Sequence, residues 1–189
     1  MFLALPVAAG IVLALLAGGD LRRLASLRFR HLGLFYLAAG IQVLAFPFPF
    51  LPWRTSDGVA TALWLVSYGL LVCGAIVNRR VTGVPLIAVG MASNIAAVVA
   101  NGGQMPALPQ ALRAAGLDLQ AHYNSSVSAA PHLPWLVDRW AVPQFLHVGN
   151  VFSVGDVVIA VGAFVLVFSA MGARLPDRLR RSRPIEPAR

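Results

Sequence analysis

Five long apolar stretches constrain this chain more than any other feature. Each has close to the ~20 residues that a helix needs to cross the ~30 Å hydrocarbon core of a bilayer. Lipid offers no hydrogen-bond partners to the backbone, so such stretches must cross as helices. They lie at about residues 2–18, 32–50, 58–77, 83–100 and 152–173. We therefore predict an all-α, polytopic membrane protein with five transmembrane helices.

The composition favours the same class of protein. Hydrophobic residues make up 58% of the 189 residues and charged residues only 12%, whereas soluble domains carry about 25% charged residues. The mean hydropathy is +0.75. A soluble fold of this length could not bury so much apolar surface. The absence of lysine and the many Ala, Gly, Val and Leu residues indicate a GC-rich bacterial genome. We therefore expect the lipid bilayer of a bacterial cytoplasmic (inner) membrane to surround the protein.

The arginines predict the orientation of the chain in that membrane. All 15 basic residues are arginine, and the net charge is +8. Most of them lie in the connections after the first and third stretches and in the tail after the fifth. The positive-inside rule then places the N-terminus outside and the C-terminus in the cytoplasm. Short arginine clusters beside apolar stretches indicate contact with anionic lipids and not with nucleic acid.

One connection is much longer than the others. Residues 101–151 leave the membrane on the outer side for about fifty residues, and loops of this length are usually functional or disordered. Within the loop, Pro109 to Gly116 has the start and stop residues of a short helix, and residues 124–130 are small and polar, which predicts flexibility. We treat residues 1–173 as a single membrane domain and 174–189 as a disordered basic tail.

The fifth stretch opens with the polar residues Asn150, Ser153 and Asp156. An aspartate inside a membrane-spanning segment is expensive, so it is a candidate functional residue by default. The alternative is structural. Ser153 followed three residues later by an acid resembles a capping box, and an acid in the first turn is favoured by the helix dipole. Both interpretations can hold together.

A second acid, Asp138, lies in the outer loop beside Arg139. A surface ion pair between these two neighbours would contribute only ~0–1 kcal/mol. The alternative places Asp138 opposite Asp156. Two carboxylates that are close together do not both ionise easily, so one retains a proton near neutral pH. Such a pair can deprotonate a water and protonate a leaving group.

The fourth stretch ends in Asn101-Gly102-Gly103. A helix C-cap with Asn or Gly in the left-handed conformation explains this pattern. Alternatively, Asn101 faces a polar cavity, because Gly90, Asn94 and Asn101 share one face of that helix. We predict catalytic roles for Asp138 and Asp156 and substrate binding by four residues: Asn101, Gly103, Asn150 and Ser153.

The sequence predicts neither a metal nor an organic cofactor. The four histidines lack a metal-ligand spacing, and no phosphate loop, nucleophile elbow or dinucleotide fingerprint is present. Cys73 stands alone in an apolar stretch, where we expect it to be a small buried hydrophobic residue.

The order of the motifs resembles one family over nearly the whole chain. Asn-Gly-Gly-x-Met-Pro at 101–106, a loop with an aspartate, and Ser-x-Gly-Asp at 153–156 are similar to a family of bacterial membrane proteins, domain-of-unknown-function family 5317. The arginine-rich segment 21–28 is also similar to its first connection. This resemblance implies a five-span bacterial membrane protein and supplies no activity.

Shorter motifs resemble lipoprotein signal peptidase, a membrane aspartyl protease. Its final motif, Phe-Asn-x-Ala-Asp-x-x-Ile-x-x-Gly, matches Phe152, Asp156, Ile159 and Gly162, with Ser153 and Gly155 as departures. Its Asp-Arg motif matches Asp138-Arg139, and its Asn motif is similar to the one at Asn101. The resemblance implies an aspartate pair at the outer leaflet. That family has four spans, however, with two membrane crossings between its Asn motif and its aspartates.

These features predict an outward-facing polar pocket that acts on a lipid-linked or membrane-embedded substrate, by aspartate-dependent hydrolysis. The alternative is a non-catalytic membrane assembly partner or a small transporter subunit. Transport would favour polar residues deep in the spans, where Gln42 and Asn94 are the main candidates. An assembly partner would instead present glycine-rich helix surfaces to lipid.

Overall fold

The computed structural model describes residues 4–45, 56–117, 125–142 and 149–173, so the predicted tail at 174–189 lies outside the described residues. The described part is mostly helical, with seven helices and four short strands. The helices are α1 (Ala4–Leu16), α2 (Leu21–Ala25), α3 (Leu32–Ala45), α4 (Asp57–Val77), α5 (Val84–Ala100), α6 (Pro109–Ala114) and α7 (Val154–Ala170). The strands are β1 (Met105–Ala107), β2 (Ser125–Val127), β3 (Trp140–Ala141) and β4 (Val151–Phe152).

Each predicted apolar stretch coincides with a helix, namely α1, α3, α4, α5 or α7. Among the described residues, Gly58–Val77 is the helical segment long and apolar enough to cross a bilayer, with 20 residues. The other four helices are apolar but shorter, with 13, 14, 17 and 17 residues. The helical class is therefore confirmed, and the crossing of a membrane by five helices stays a prediction.

The apolar helices pack in an order that differs from their order in the chain. α1 packs on α7, α7 on α5, α5 on α4, and α4 on α3. The short helix α2 also contacts α7. The last apolar helix of the sequence therefore lies between the first and the fourth, with α1 and α3 at the two ends of the series.

Glycines allow the closest of these approaches, between α5 and α7. A Cβ atom at Gly90 would lie 2.5 Å from the carbonyl oxygen of Gly155, and one at Gly162 would lie 2.9 Å from the carbonyl oxygen of Gly83. Small residues at a crossing let two helix backbones approach and gain dispersion energy. This close crossing brings the buried residue Asn94 of α5 against the first turn of α7.

The described residues between α5 and α7 form short strands as well as a helix. β1 pairs with β2 in parallel, β3 pairs with β4 antiparallel, and Asp138 bridges to Ala107 of β1. The all-α prediction missed these strands. One of them, β2, lies within the small, polar residues 124–130, whose flexibility stays a prediction. Strands of two or three residues are too short to produce a periodic pattern. The predicted helix is confirmed as α6, which Gly116 ends at a φ of +69°.

At the opposite end of the bundle, Asn78 follows α4 and is 3% exposed. Its amide nitrogen donates to the carbonyls of Gly74 at 2.7 Å and Arg30 at 3.0 Å, and its oxygen accepts from the N–H of Arg30 at 2.7 Å. Asn78 therefore joins the end of α4 to the connection that precedes α3. Cys73 of α4 is exposed, so its expected burial is wrong.

Candidate functional site

Asp156 lies in the first turn of α7 and is held by the cap of that helix. Ser153 is the N-cap residue, fully buried, and its backbone N–H donates to Oδ2 of Asp156 at 2.9 Å. The N–H of Asp156 in turn donates to the Ser153 hydroxyl at 3.2 Å. The predicted capping box is thereby confirmed. It satisfies two amides that the start of a helix leaves unpaired.

A third polar side chain joins this pair from the neighbouring helix. The amide nitrogen of Asn94 donates to Oδ1 of Asp156 at 2.9 Å. The Ser153 hydroxyl lies 3.0 Å from Oδ1 of Asn94 and 2.9 Å from Oδ2 of Asp156. A hydroxyl carries one proton, so it donates to one of these oxygens at a time. The three side chains form a closed network that fixes both oxygens of the Asp156 carboxylate.

Asp138 reaches the same region through backbone pairing in the loop. Its N–H donates to the carbonyl of Pro106 at 3.0 Å, and its own carbonyl accepts from Leu108 at 2.9 Å. The next residue, Arg139, donates its N–H to the carbonyl of Phe152 at 3.2 Å. The segment around Asp138 therefore lies between β1 on one side and β4 on the other. Since β4 runs directly into the cap of α7, this pairing brings Asp138 towards Asp156.

The environment of Asp138 changes its acidity. Burial, and then the negative charge of Asp156, raise the pKa of Asp138 from its ordinary value of 3.8 to about 7. A cation paired with the carboxylate would lower the pKa instead. The guanidinium of Arg139 lies over the rings of Trp135 and Trp140, at 5.1 and 5.3 Å from their centroids. The alternative of an Asp138–Arg139 ion pair is therefore wrong.

Aromatic residues of α4 lie beside the two acids. Tyr68 is within electrostatic range of both Asp156 and Asp138. Its ring stacks on Trp64, with the centroids 4.1 Å apart. Trp64 packs in turn with Ala97, Val98 and Met105 in a buried cluster that Leu136 also contacts. The acids thus adjoin an apolar core, which explains why burial is the larger cause of the raised pKa at Asp138.

Asn101 lies at the C-cap of α5 and joins that helix to the outer loop. Its amide nitrogen donates to the carbonyls of Ala97 and His132, both at 2.8 Å, and its oxygen accepts from the N–H of His132 at 2.8 Å. Gly102 has a φ of +74°, and the N–H of Gly103 returns to the carbonyl of Val98 at 2.9 Å. The predicted C-cap is confirmed, in the form of a Schellman motif.

The remaining candidate residues take part through their backbones. A Cβ atom at Gly103 would collide with the side chain of Thr61, whose hydroxyl lies 3.4 Å from the Gly103 carbonyl. The carbonyl of Asn150 accepts from the N–H of Val142 at 2.8 Å, which extends the pairing of β3 with β4. The structure therefore brings together Asp138, Asp156 and Ser153, while Asn101, Gly103 and Asn150 hold the surrounding backbone.

Sequence reasoning left two residues out of the site. The sequence places Asn94 on the same face of α5 as Gly90, but it contains no pattern that links Asn94 to Asp156. Its signal is the small residue opposite: a Cβ atom at Gly155 would overlap the amide of Asn94. Tyr68 carries no comparable signal. In the described part of the chain, no group of three or more His, Cys, Asp or Glu residues could hold a metal ion.

Comparison with known sequences identifies the family. The sequence profile of DUF5317, a family of unknown function, matches residues 26–168. The chain belongs to this family. It is also 29% identical over 153 residues to an uncharacterized protein of Thermotoga maritima, covering 75% of this chain and 84% of that protein. No solved structure matches the chain.

The region matched by DUF5317 contains the whole candidate site. It begins at residue 26, after α1 and α2, and ends at residue 168, within α7. Asn94, Asp138, Ser153 and Asp156 all lie inside it. Chemically, the site of this DUF5317 chain offers one carboxylate fixed by hydrogen bonds and one carboxyl group whose pKa of about 7 lets it exchange a proton near neutral pH.

Proposed function

We propose that this protein is a multi-pass protein of the bacterial inner membrane, with α1, α3, α4, α5 and α7 as its five crossing helices. Large apolar side chains are exposed on all five, among them Leu16 at 79%, Tyr36 at 74% and Val89 at 60%. Soluble monomers rarely expose large contiguous apolar patches. In the sequence, the apolar character of α1 and α3 continues into residues 1–3 and 46–52.

In this placement the N-terminus is outside and the C-terminus is in the cytoplasm. The arginine distribution supports this orientation. The ends of the helices that carry Asp156 and Asn101, with the loop between them, then lie at the outer leaflet. The bilayer and its anionic lipids are the surrounding partners, and the arginine clusters contact the inner surface.

At the outer surface, we assign Asp138 an acid–base role on a lipid-linked or membrane-embedded substrate. The observation that carries this proposal is the convergence of the two carboxylates, one fixed and the other with a pKa of about 7. A general base works best when its pKa lies near the working pH. Asp156, held by Asn94 and Ser153, supplies the fixed negative charge that keeps the proton affinity of Asp138 high.

The proposed reaction is hydrolysis. The ionised Asp138 carboxylate takes a proton from a water molecule as that water attacks the substrate, and then returns the proton to the leaving amine or oxygen. These proton transfers require neither a redox partner nor a metal ion. The motif similarity of Asp138-Arg139 and of residues 152–162 to lipoprotein signal peptidase supports hydrolysis as the reaction class. The geometry gives Asn101, however, a role in holding the loop.

The test uses a strain that lacks the gene and is complemented with variants. We expect Asp138→Asn and Asp156→Asn to accumulate the same uncleaved lipid-linked species as the deletion strain, detected by mass spectrometry of membrane extracts. Asp20→Asn is the matched control, because Asp20 is an exposed acid that caps α2 at the other end of the molecule. Full complementation by both Asp138→Asn and Asp156→Asn would show that the acids have no catalytic role.

The packing order favours a second candidate, a non-catalytic membrane assembly partner. α1 and α3 stand at the ends of the helix series, and Gly40 of α3 and Gly69 of α4 face open space. Glycine surfaces of this kind let another helix approach closely. An assembly partner would co-purify with a second protein at fixed stoichiometry in mild detergent, and Asp138→Asn would complement the deletion fully.

A further inference from the structure

The outer loop contains a segment, Leu133 to Trp140, that is tied at both ends to the ends of two apolar helices. At its start, the side chain of Asn101 makes a pair of 2.8 Å hydrogen bonds with the backbone of His132. At its end, Trp140 pairs with Phe152, immediately before the cap of α7. Because α5 and α7 both end here, the segment is held at the level where these helices leave the apolar layer.

Three apolar side chains of this segment are exposed, whereas Val137 is fully buried and Leu136 packs against the buried cluster described above. Trp135 is 71% exposed, Leu133 45% and Trp140 42%. Leu133 adopts a φ of +52°, a left-handed conformation that destabilises a residue with a Cβ atom by ~1–2 kcal/mol. Its carbonyl accepts the N–H of Leu136 at 2.9 Å, so the turn is closed and ordered. A strained turn at Leu133 therefore accompanies the exposed apolar side chains of this segment, which we call the apolar tip (Leu133, Trp135 and Trp140).

Arg139 adds a cation to this tip. Its guanidinium lies against the faces of both indoles, which orients the planar group without consuming its N–H donors. Neither the neighbouring carboxyl of Asp138 nor any other acid in the described residues forms an ion pair with Arg139. Exposed indoles beside an arginine match the interfacial layer of a bilayer, where Trp is enriched and phosphate groups offer bidentate acceptors.

We propose that the Leu133–Trp140 segment docks on the outer leaflet, with Trp135 and Trp140 at headgroup depth and Arg139 bound to the phosphate of an anionic phospholipid. This inference rests on the membrane placement proposed above but not on the reaction assigned to Asp138. It gives the outer loop a lipid-binding surface of its own. It also gives a role to the hydrogen bonds between Asn101 and the backbone of His132, because they hold the start of the segment at the end of α5.

The first experiment locates Trp135 in the full chain reconstituted in phosphatidylglycerol nanodiscs. The fluorescence of the Trp135→Phe variant is subtracted from that of the parent, which isolates one indole while leaving the buried Trp64 intact. We expect this component to be quenched by phospholipids brominated near the carbonyl region and to be shielded from aqueous iodide. A component quenched by iodide and not by brominated lipid would overturn the proposal. Trp135 is exposed, so this variant should fold.

The second experiment measures phospholipid retained by the detergent-purified protein, by native mass spectrometry. We expect Arg139→Gln to retain about five- to tenfold less phosphatidylglycerol, in line with the loss of one charge-assisted pair, and Arg139→Lys to recover part of it. Arg113→Gln is the matched control, since Arg113 is an exposed arginine on α6 of the same loop.

Three outcomes of the second experiment would overturn the proposal. They are unchanged retention in Arg139→Gln, equal loss in Arg113→Gln, and displacement of the lipid by millimolar inorganic phosphate, which would assign Arg139 to a free anion. Asp138→Asn should retain phosphatidylglycerol normally. A failure of the lipid proposal is thus distinguishable from a failure of the acid–base proposal, which the complementation strains test separately.

Discussion

The two carboxylates of the candidate site are held in different ways. Asp156 has both oxygens fixed by the side chains of Asn94 and Ser153 and by a backbone N–H. Asp138 is fixed through its backbone, between Pro106 and Leu108, and burial raises the pKa of its carboxyl group to about 7. A helix cap therefore fixes one carboxylate through local hydrogen bonds, whereas the loop packed beside it holds the second acid by its backbone and leaves its carboxyl group able to titrate.

The largest expected effect comes from adding a methyl group where α7 crosses α5, next to the side chain of Asn94 that binds Asp156. In Gly155→Ala, the new methyl group would overlap the amide of Asn94 and crowd the Gly90 carbonyl. Overpacking against a helix backbone should lower the free energy of unfolding by ~3 kcal/mol, measured by thermal unfolding in detergent. The control is Gly69→Ala, which faces open space in α4 and should be neutral or stabilising by up to ~1 kcal/mol. Equal stability of both variants would refute the close crossing of α5 and α7.

The next effect concerns the acid that titrates. Because the pKa of Asp138 is higher in the folded state than its ordinary 3.8, the folded protein binds this proton more tightly. Stability should therefore fall as the pH rises from about 4 to above 7. The full difference corresponds to at most ~4 kcal/mol, and partial exposure of the side chain reduces it to ~2 kcal/mol.

Asp138→Asn should remove this part of the pH dependence. We expect the variant to be ~2 kcal/mol more stable than the parent at pH 8, because the amide resembles the protonated acid, and similar to it only below about pH 4. Chemical denaturation across the pH range measures the difference. If parent and variant lose stability in parallel between pH 5 and 8, Asp138 is not the titrating group.

A smaller effect separates a site amide from a structural one. Asn94→Ala removes the donor to Asp156, and Asn78→Ala removes three bonds to backbone groups. Each should lower stability by ~1–2 kcal/mol, because buried partners are left unsatisfied. Only Asn94→Ala should also move the pH window of Asp138, since it releases the Asp156 carboxylate. A window that moves equally in both variants would mean that Asn94 does not position that charge.

The smallest expected effect comes from a neutral hydrogen bond between helices, against which the charged network can be compared. The amide of Gln42 donates to the hydroxyl of Ser67 at 3.2 Å, a single neutral bond between α3 and α4. Interhelical bonds of this kind in membranes contribute ~0.6 kcal/mol on average. Gln42→Leu should therefore change the unfolding temperature little and leave the pH window in place. A loss above ~2 kcal/mol would show that the charged network has no special weight.

The helices were predictable because their signals are local. Apolar length located α1, α3, α4, α5 and α7, and the residues Ser153 and Asp156 predicted a capping box that the structure contains. The capping box at Ser153 and the C-cap at Asn101 both form from residues that are neighbours in the sequence. No folded partner is needed for such caps to form.

The other half of the site was not predictable, because it depends on contacts between distant parts of the chain. Asn94 and Asp156 are separated by 62 residues and meet only because α5 and α7 cross at glycines. Asp138 is partly buried by strands of two and three residues, which are too short to produce a recognisable pattern in the sequence. The raised pKa of Asp138 follows from both of these events, so it became visible only in the folded molecule.

The place of α7 between α1 and α5 has a consequence for biosynthesis. A ribosome completes α1 and α5 before it makes α7, so the groove that receives α7 must wait for its occupant, with the amide of Asn94 facing it unpaired. Asn94 joins the capping box only when α7 enters this groove, and the same step joins β4 to β3 and brings Asp138 into place. The pair of acids is therefore assembled late in folding, so a nascent chain that lacks α7 carries no assembled site.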